Sequence, residues 1–195
     1  MASTTPFSRK IEGLRWLAAL CAFWCAALLG SDEGVHVKSA EVSRNGDSYF
    51  LEANFAVKLT STLEDALNKG LPLHFVTEFE LIHPRWYTLY LWNKSVLEFE
   101  QRYRLSYNAL TRQYRLSNGA LHQNLDTMDE ALKLIGQVRP RLLASADRLD
   151  DGKTYEAVIR LRLDVSHLPK PLQIDALASR DWNLASDWYR WTVTP

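Results

Sequence analysis

The sequence predicts a mainly β domain, most simply an antiparallel β-sandwich of about seven strands with two or three short helices at its edges. An N-terminal hydrophobic export helix precedes it, and an α+β arrangement is the alternative. Three observations carry the prediction. Apolar and polar residues alternate with period two in several runs between Val35 and Val193. Asn-Gly pairs and turns rich in Gly and Pro separate the runs. No strand–helix–strand alternation of the kind that builds a parallel sheet is present.

Residues 1–31 read as a signal peptide or an N-terminal membrane anchor. Arg9, Lys10 and Arg15 precede Trp16–Gly30, a run without a charge, and polar "SDEG" follows. A basic start, a short apolar run and a polar boundary are the parts of a secretory signal. The run is shorter than the roughly 20 residues of a comfortable membrane span. Ala27, with Cys25 two residues before it, is the best small-x-small cleavage pair, but it leaves Leu28-Leu29 at the new terminus, so anchoring stays open beside cleavage. A buried helix is disfavoured, since it would have to hide Trp16, Phe23 and Trp24 on all sides at once. The basic residues before the run hold their end in the cytoplasm and send the rest outward. Residues 32–195 are therefore expected to form a single periplasmic domain, which touches the membrane only through the N-terminal segment if that is uncleaved.

Cys21 and Cys25 are the only cysteines, and both lie inside the apolar run. Bulky Leu20 and Trp24 precede them, which argues against lipid attachment. The exported domain is thus expected to stand on its core without disulfide or thiolate chemistry. The formal net charge is zero, from 23 basic and 23 acidic residues. Setting aside Arg9, Lys10, Arg15 and Glu12 leaves 20 and 22, a net of −2. Such a domain has no overall field to attract nucleic acid or anionic lipid.

The elements follow in order. "VHVKSAEVSRNGDSYFLEANFAVKL" reads as a hairpin turning at Asn45-Gly46, with Tyr49, Leu51, Ala53, Phe55 and Val57 on one face. "TSTLEDALNKGLP" breaks the period: Ser61 with Glu64 forms a capping box, Leu63 and Leu67 share a face, and Gly70 and Pro72 end a short helix. "LHFVTEFELIH" resumes alternation, with Phe75, Thr77, Phe79 and Leu81 together, until Pro84. Val96–Tyr107 is the better-alternating part of a long aromatic stretch, and Gln113–Ser117 returns after the turn "NALT". Asp126 or Thr127 caps a helix with Met128, Leu132 and Ile135 on one side and Ala131, Leu134 and Val138 beside them. Pro140 interrupts, and "RLLASADRL" is expected to restart a turn or two of helix. "TYEAVIRLRLDV" is a strand with Tyr155, Ala157, Ile159, Leu161 and Leu163 inward, "HLPKPL" a stiff loop, and "SDWYRWTV" a last strand.

The tetrapeptide Tyr-Arg-Leu-Ser occurs twice, at Tyr103–Ser106 and Tyr114–Ser117. Aromatics that stack bases would share the exposed face with the basic groups. Here Tyr and Leu take one face and Arg and Ser the other, so the words describe two paired strands, and no nucleic acid is expected. His36, His74, His83, His122 and His167 are spread one per element without metal-binding spacing. The acidic groups at 126–130 and 147–151 lack the calcium-loop pattern. No nucleophile elbow, phosphate-cradling loop or dinucleotide fingerprint is present. No catalytic, metal or cofactor residues are assigned and no enzyme is expected, although a hydrolase with a dispersed site is an alternative. The tryptophans outside the export segment fall in "RWYTLYLW" and "RDWNLASDWYRW", where they either close the ends of the core or seal an interface. The candidate interaction patch is Trp86, Trp92, Arg102, Arg104, Arg115, Trp188 and Trp191. If they form one exposed surface they support a protein interface; on separate faces they do not.

"FEQRYRLSYNALTRQYRLSNG", with "LNKGLPLHFVTEFEL" and "HPRW" before it and "LPKPLQIDALASRDWNLASDWYRW" at the end, resembles a family of exported proteobacterial proteins, catalogued as domain of unknown function 4390. The likeness spans roughly residues 35–193 in several separated matches. It implies an export segment and a cell-envelope location. It supplies no activity and no catalytic residues, and it implies gene neighbourhood with a membrane sensor kinase of the nitrogen-regulation type. The expectation is an accessory protein-binding domain of the envelope, the sensor kinase being one partner. Binding of a small apolar ligand between the β layers is the alternative.

Overall fold

The computed structural model describes residues 34–83, 94–150 and 152–195. Residues 1–31, expected to be a signal peptide or anchor, and Trp86 and Trp92 lie outside the described residues.

The described chain holds nine strands and three short α-helices. The strands are β1 (Gly34–Asn45), β2 (Ser48–Lys58), β3 (Leu73–His83), β4 (Lys94–Asn108), β5 (Gln113–Asn118), β6 (Leu121–Leu125), β7 (Gln137–Ser145), β8 (Tyr155–Leu163) and β9 (Tyr189–Val193). The helices are α1 (Ser61–Asn68), α2 (Met128–Ile135) and α3 (Lys170–Ala178). A three-stranded sheet of order β1-β2-β7 faces a six-stranded sheet of order β6-β5-β4-β3-β8-β9, and every pairing is antiparallel. The mainly β sandwich-like architecture is as expected, with more strands than the sequence suggested.

Alternation places the core. On β2 the residues Tyr49, Leu51, Ala53, Phe55 and Val57 are buried, and on β3 so are Phe75, Thr77, Phe79 and Leu81. On β8 the set is Tyr155, Ala157, Ile159, Leu161 and Leu163. These three strands join one hydrophobic cluster with Leu63 and Leu67 of α1 and Ala131, Leu132 and Ile135 of α2. A one-residue slip of any of them would turn its whole apolar set to solvent, so burial fixes the register.

Five local expectations are corrected. The first hairpin turns on Gly46-Asp47, because Asn45 still pairs with Ser48. Gly46 takes φ +59 while Asp47 keeps a negative φ, the sign pattern of a turn with glycine in its first central position. The same device recurs at Asn118-Gly119: Asn118 pairs with Leu121 and Gly119 has φ +58. That turn creates β6, a strand absent from the sequence reading. The cap of α1 is Thr60 rather than Ser61, its Oγ1 accepting the Leu63 N–H at 3.3 Å and donating to the Asp181 carbonyl at 2.7 Å. The expected helix in "RLLASADRL" is largely strand, with only a 3-10 turn at Ala146–Arg148. Pro140 does not stop β7, because β7 is the edge of its sheet and can spare an N–H. Lastly, "HLPKPL" runs into α3, where Pro171 stands in the first turn and its missing N–H costs nothing.

Candidate functional site: a groove between the layers and a basic row behind it

The six-stranded sheet is wider than its three-stranded cover. Over β4, β5 and β6 the inner face is therefore left partly open, and a groove of about 550 Å³ runs there between the layers. Its floor is Gln101 and Tyr103 of β4, Leu116 and Asn118 of β5, and Leu121 and Gln123 of β6. Leu134 of α2 and Gln137, Arg139, Pro140, Arg141 and Leu142 of β7 form the walls. Leu121, at an inward position of β6, is 79% exposed here, and Leu142, opposite Phe50 on the edge strand β7, is 59% exposed at the groove's rim.

Amides line the groove as well. Gln101 donates to the Tyr103 hydroxyl at 2.5 Å. The side-chain amides of Asn118, Gln123 and Gln137 have no partner among the described residues. Arg139 and Arg141 contribute the charge, Arg141 lying 4.7 Å over the Phe99 ring, and no carboxylate lines the groove. β6 and β7 are each the last strand of their sheet, so each leaves one edge of backbone N–H and C=O groups unpaired. The sequence signal for this groove was faint: amides at inward positions of β4, which was read as strand, and of β6, which was unassigned, facing β7, which was read as helix.

The predicted patch does not come together as one surface among the described residues. Arg102, Arg104 and Arg115 do share a place, the outer face of β4 and β5, on a groove of about 330 Å³. Trp188 lies beside β8, its ring 4.3 Å from the Arg160 guanidinium. Trp191 turns inward, half-buried, with its ring 6.0 Å from Phe79. Trp188 therefore belongs to the far end of the sheet and Trp191 to the core side.

The outer face of the sheet is otherwise well compensated. Arg160 and Arg162 both bind Glu78, each at 2.7 Å. Burial alone would raise the Glu78 carboxyl, but hydrogen bonds from Arg162 and Arg160 outweigh it and hold the group below the usual range. Arg190 pairs with Glu156 at 3.3 Å and Arg102 with Glu100 at 2.8 Å. Next to His74, Asp164 caps a 3-10 turn by accepting from the Ser166 N–H and hydroxyl. That turn sets the His167 ring 4.5 Å from the His74 ring. Among the described residues no group of three or more His, Cys, Asp or Glu side chains is placed to hold a metal ion.

No curated protein and no solved structure matches the chain. The family described as "Domain of unknown function (DUF4390)" matches residues 32–192, nearly all of the domain built above. The chain belongs to that family.

Proposed function

We propose that the chain is an exported cell-envelope protein whose β domain acts without catalysis, by binding a segment of another protein in the groove between its layers. The observation that carries this reading is the pair of exposed leucines, Leu121 and Leu142, facing one groove on two strands with unpaired edges. An extended polypeptide answers each feature of the lining. Its backbone pairs with an open strand edge and with the free amides, and alternate side chains reach the leucines. A small apolar ligand, the second reading, would leave the amides of Asn118, Gln123 and Gln137 without partners, at a cost on the order of 1–3 kcal/mol each if they were dried. The periplasmic part of a membrane sensor kinase is the first partner to test.

The test is photo-crosslinking in intact envelopes with a benzophenone side chain at position 121 or 142. A discrete protein adduct that disappears in the variant Leu121→Asp/Leu142→Asp is the expected result. If neither position yields an adduct, while native mass spectrometry finds a small molecule bound, the apolar-ligand reading replaces this one.

A further inference from the structure

Arg104 and Arg115 stand out from the rest of their sheet face. Arg102, Arg160, Arg162 and Arg190 each have a carboxylate within ion-pair distance. Arg104 and Arg115 have none among the described residues. The register brings them together: Arg104 is opposite His74 on one side and Ser117 on the other, and Ser117 is opposite His122. One row, His74–Arg104–Ser117–His122, thus crosses four strands on the outer face. Arg115 sits two residues from Ser117 on β5, and Arg102 two from Arg104 on β4, so both flank the row on the same face. All six side chains line a single groove of about 330 Å³, and no acidic residue lines it.

Neighbouring like charges on a sheet face oppose folding. The fold supplies a counter-charge for Arg102 and for the other arginines of this face, and for Arg104 and Arg115 it supplies none among the described residues. We infer that this groove is a binding site for a multivalent oxyanion, a phosphorylated molecule whose oxygens bridge Arg104 and Arg115. Guanidinium groups grip such oxygens in pairs, and two of them on adjacent strands span more than one oxygen edge. Ser117 within the row and the histidines at its two ends add further polar groups to the lining. The groove is several times larger than one phosphate ion, which fits a ligand carrying two phosphates or a phosphate on a small polar body. A free phosphorylated metabolite and the headgroup of a phospholipid share this chemistry.

The site is independent of the groove between the layers, because Arg104 and Arg115 point to the opposite face of the same strands from Tyr103 and Leu116. The experiment is calorimetric titration of the purified full chain with pyrophosphate, against sodium chloride at equal ionic strength. A second arm measures co-sedimentation with phosphatidylcholine vesicles with and without phosphatidic acid. Saturable pyrophosphate binding, weakened about tenfold or more in Arg104→Gln/Arg115→Gln, is expected. Arginine-dependent gain on phosphatidic acid without pyrophosphate binding assigns the site to a headgroup and also supports it. The melting temperature of the double variant checks folding, and single Arg115→Gln serves if the double variant fails. Binding of neither probe above the salt control, or binding unchanged in the variants, overturns the proposal. Neither outcome bears on the crosslinks at positions 121 and 142, so the two readings fail separately.

Discussion

Gly136 lies directly against the backbone of Phe55. The Phe55 N–H donates to the Gly136 carbonyl at 2.8 Å, and a Cβ on Gly136 would overlap the Phe55 carbonyl oxygen. Gly136 has φ −73, so the glycine is required for space and not for an unusual backbone conformation. It is the residue where α2 ends and β7 begins its pairing with β2. Gly136→Ala should therefore destabilise the domain by about 1–3 kcal/mol, since backbone on one side cannot move aside as a side chain would. The usual small gain from stiffening the unfolded chain would be outweighed. Urea unfolding followed by tryptophan fluorescence measures it; a midpoint equal to or above that of the parent would contradict the close approach.

The cap of α1 gives a second, comparative prediction. Thr60 both closes the helix and ties it to the turn at Asp181. Ser61, the residue that local pattern favours, is exposed and makes no such contact. Thr60→Ala should cost about 1–2 kcal/mol, and Ser61→Ala only a few tenths. Equal costs for the two, read from paired unfolding curves, would return the cap to Ser61.

Those two cases show where the fold was legible. β2, β3 and β8 could be read residue by residue, because each buries one face and a period of two leaves no other reading. β7 could not, since Pro140 looks like a breaker until Gln137–Ser145 is known to be an edge. β6 is too short and polar to announce itself; only the turn at Gly119 and its pairing with β5 make it a strand. The arginines were visible as an outward row, but His74 and His122 looked scattered until the register placed them in line with Arg104. The groove was the least legible feature. It arises from a mismatch in width between two sheets, and no single segment encodes that.

His74 carries a prediction about pH. Burial, the neighbouring His167 and Arg104 all disfavour its charged form, in that order, and Asp164 only partly opposes them. Its pKa is therefore lower in the folded chain than the ordinary 6.5. The unfolded chain binds a proton at His74 in the window at and just below pH 6.5, where the folded chain does not. Stability must then rise with pH across that window and fall on acidification through it. Replacing the ring by His74→Gln should reduce this slope, read as the difference between parent and variant unfolding curves from pH 7.5 down to 5. The comparison cancels the histidines remote from His74. A slope that is unchanged or steeper in the variant would show that His74 is not shifted downward.

Thr77 is a polar residue buried inside the sandwich. It is 1% exposed, on the inner face of β3 between Gln101 of β4 and Leu161 of β8. Its hydroxyl has no hydrogen-bond partner among the described residues. Threonine and valine share a β-branched shape that suits a strand, so exchanging one for the other preserves volume and rotamer. What changes is the hydroxyl, which loses its water on folding and gains nothing from the protein. Thr77→Val should thus stabilise the domain by about 1 kcal/mol, whereas the same exchange at a hydrogen-bonded threonine would destabilise it. Thermal unfolding of the two proteins side by side decides the matter. A lower midpoint for the valine variant would mean that the Thr77 hydroxyl is satisfied in solution, and that the interior beneath β3 is wetter than its packing implies.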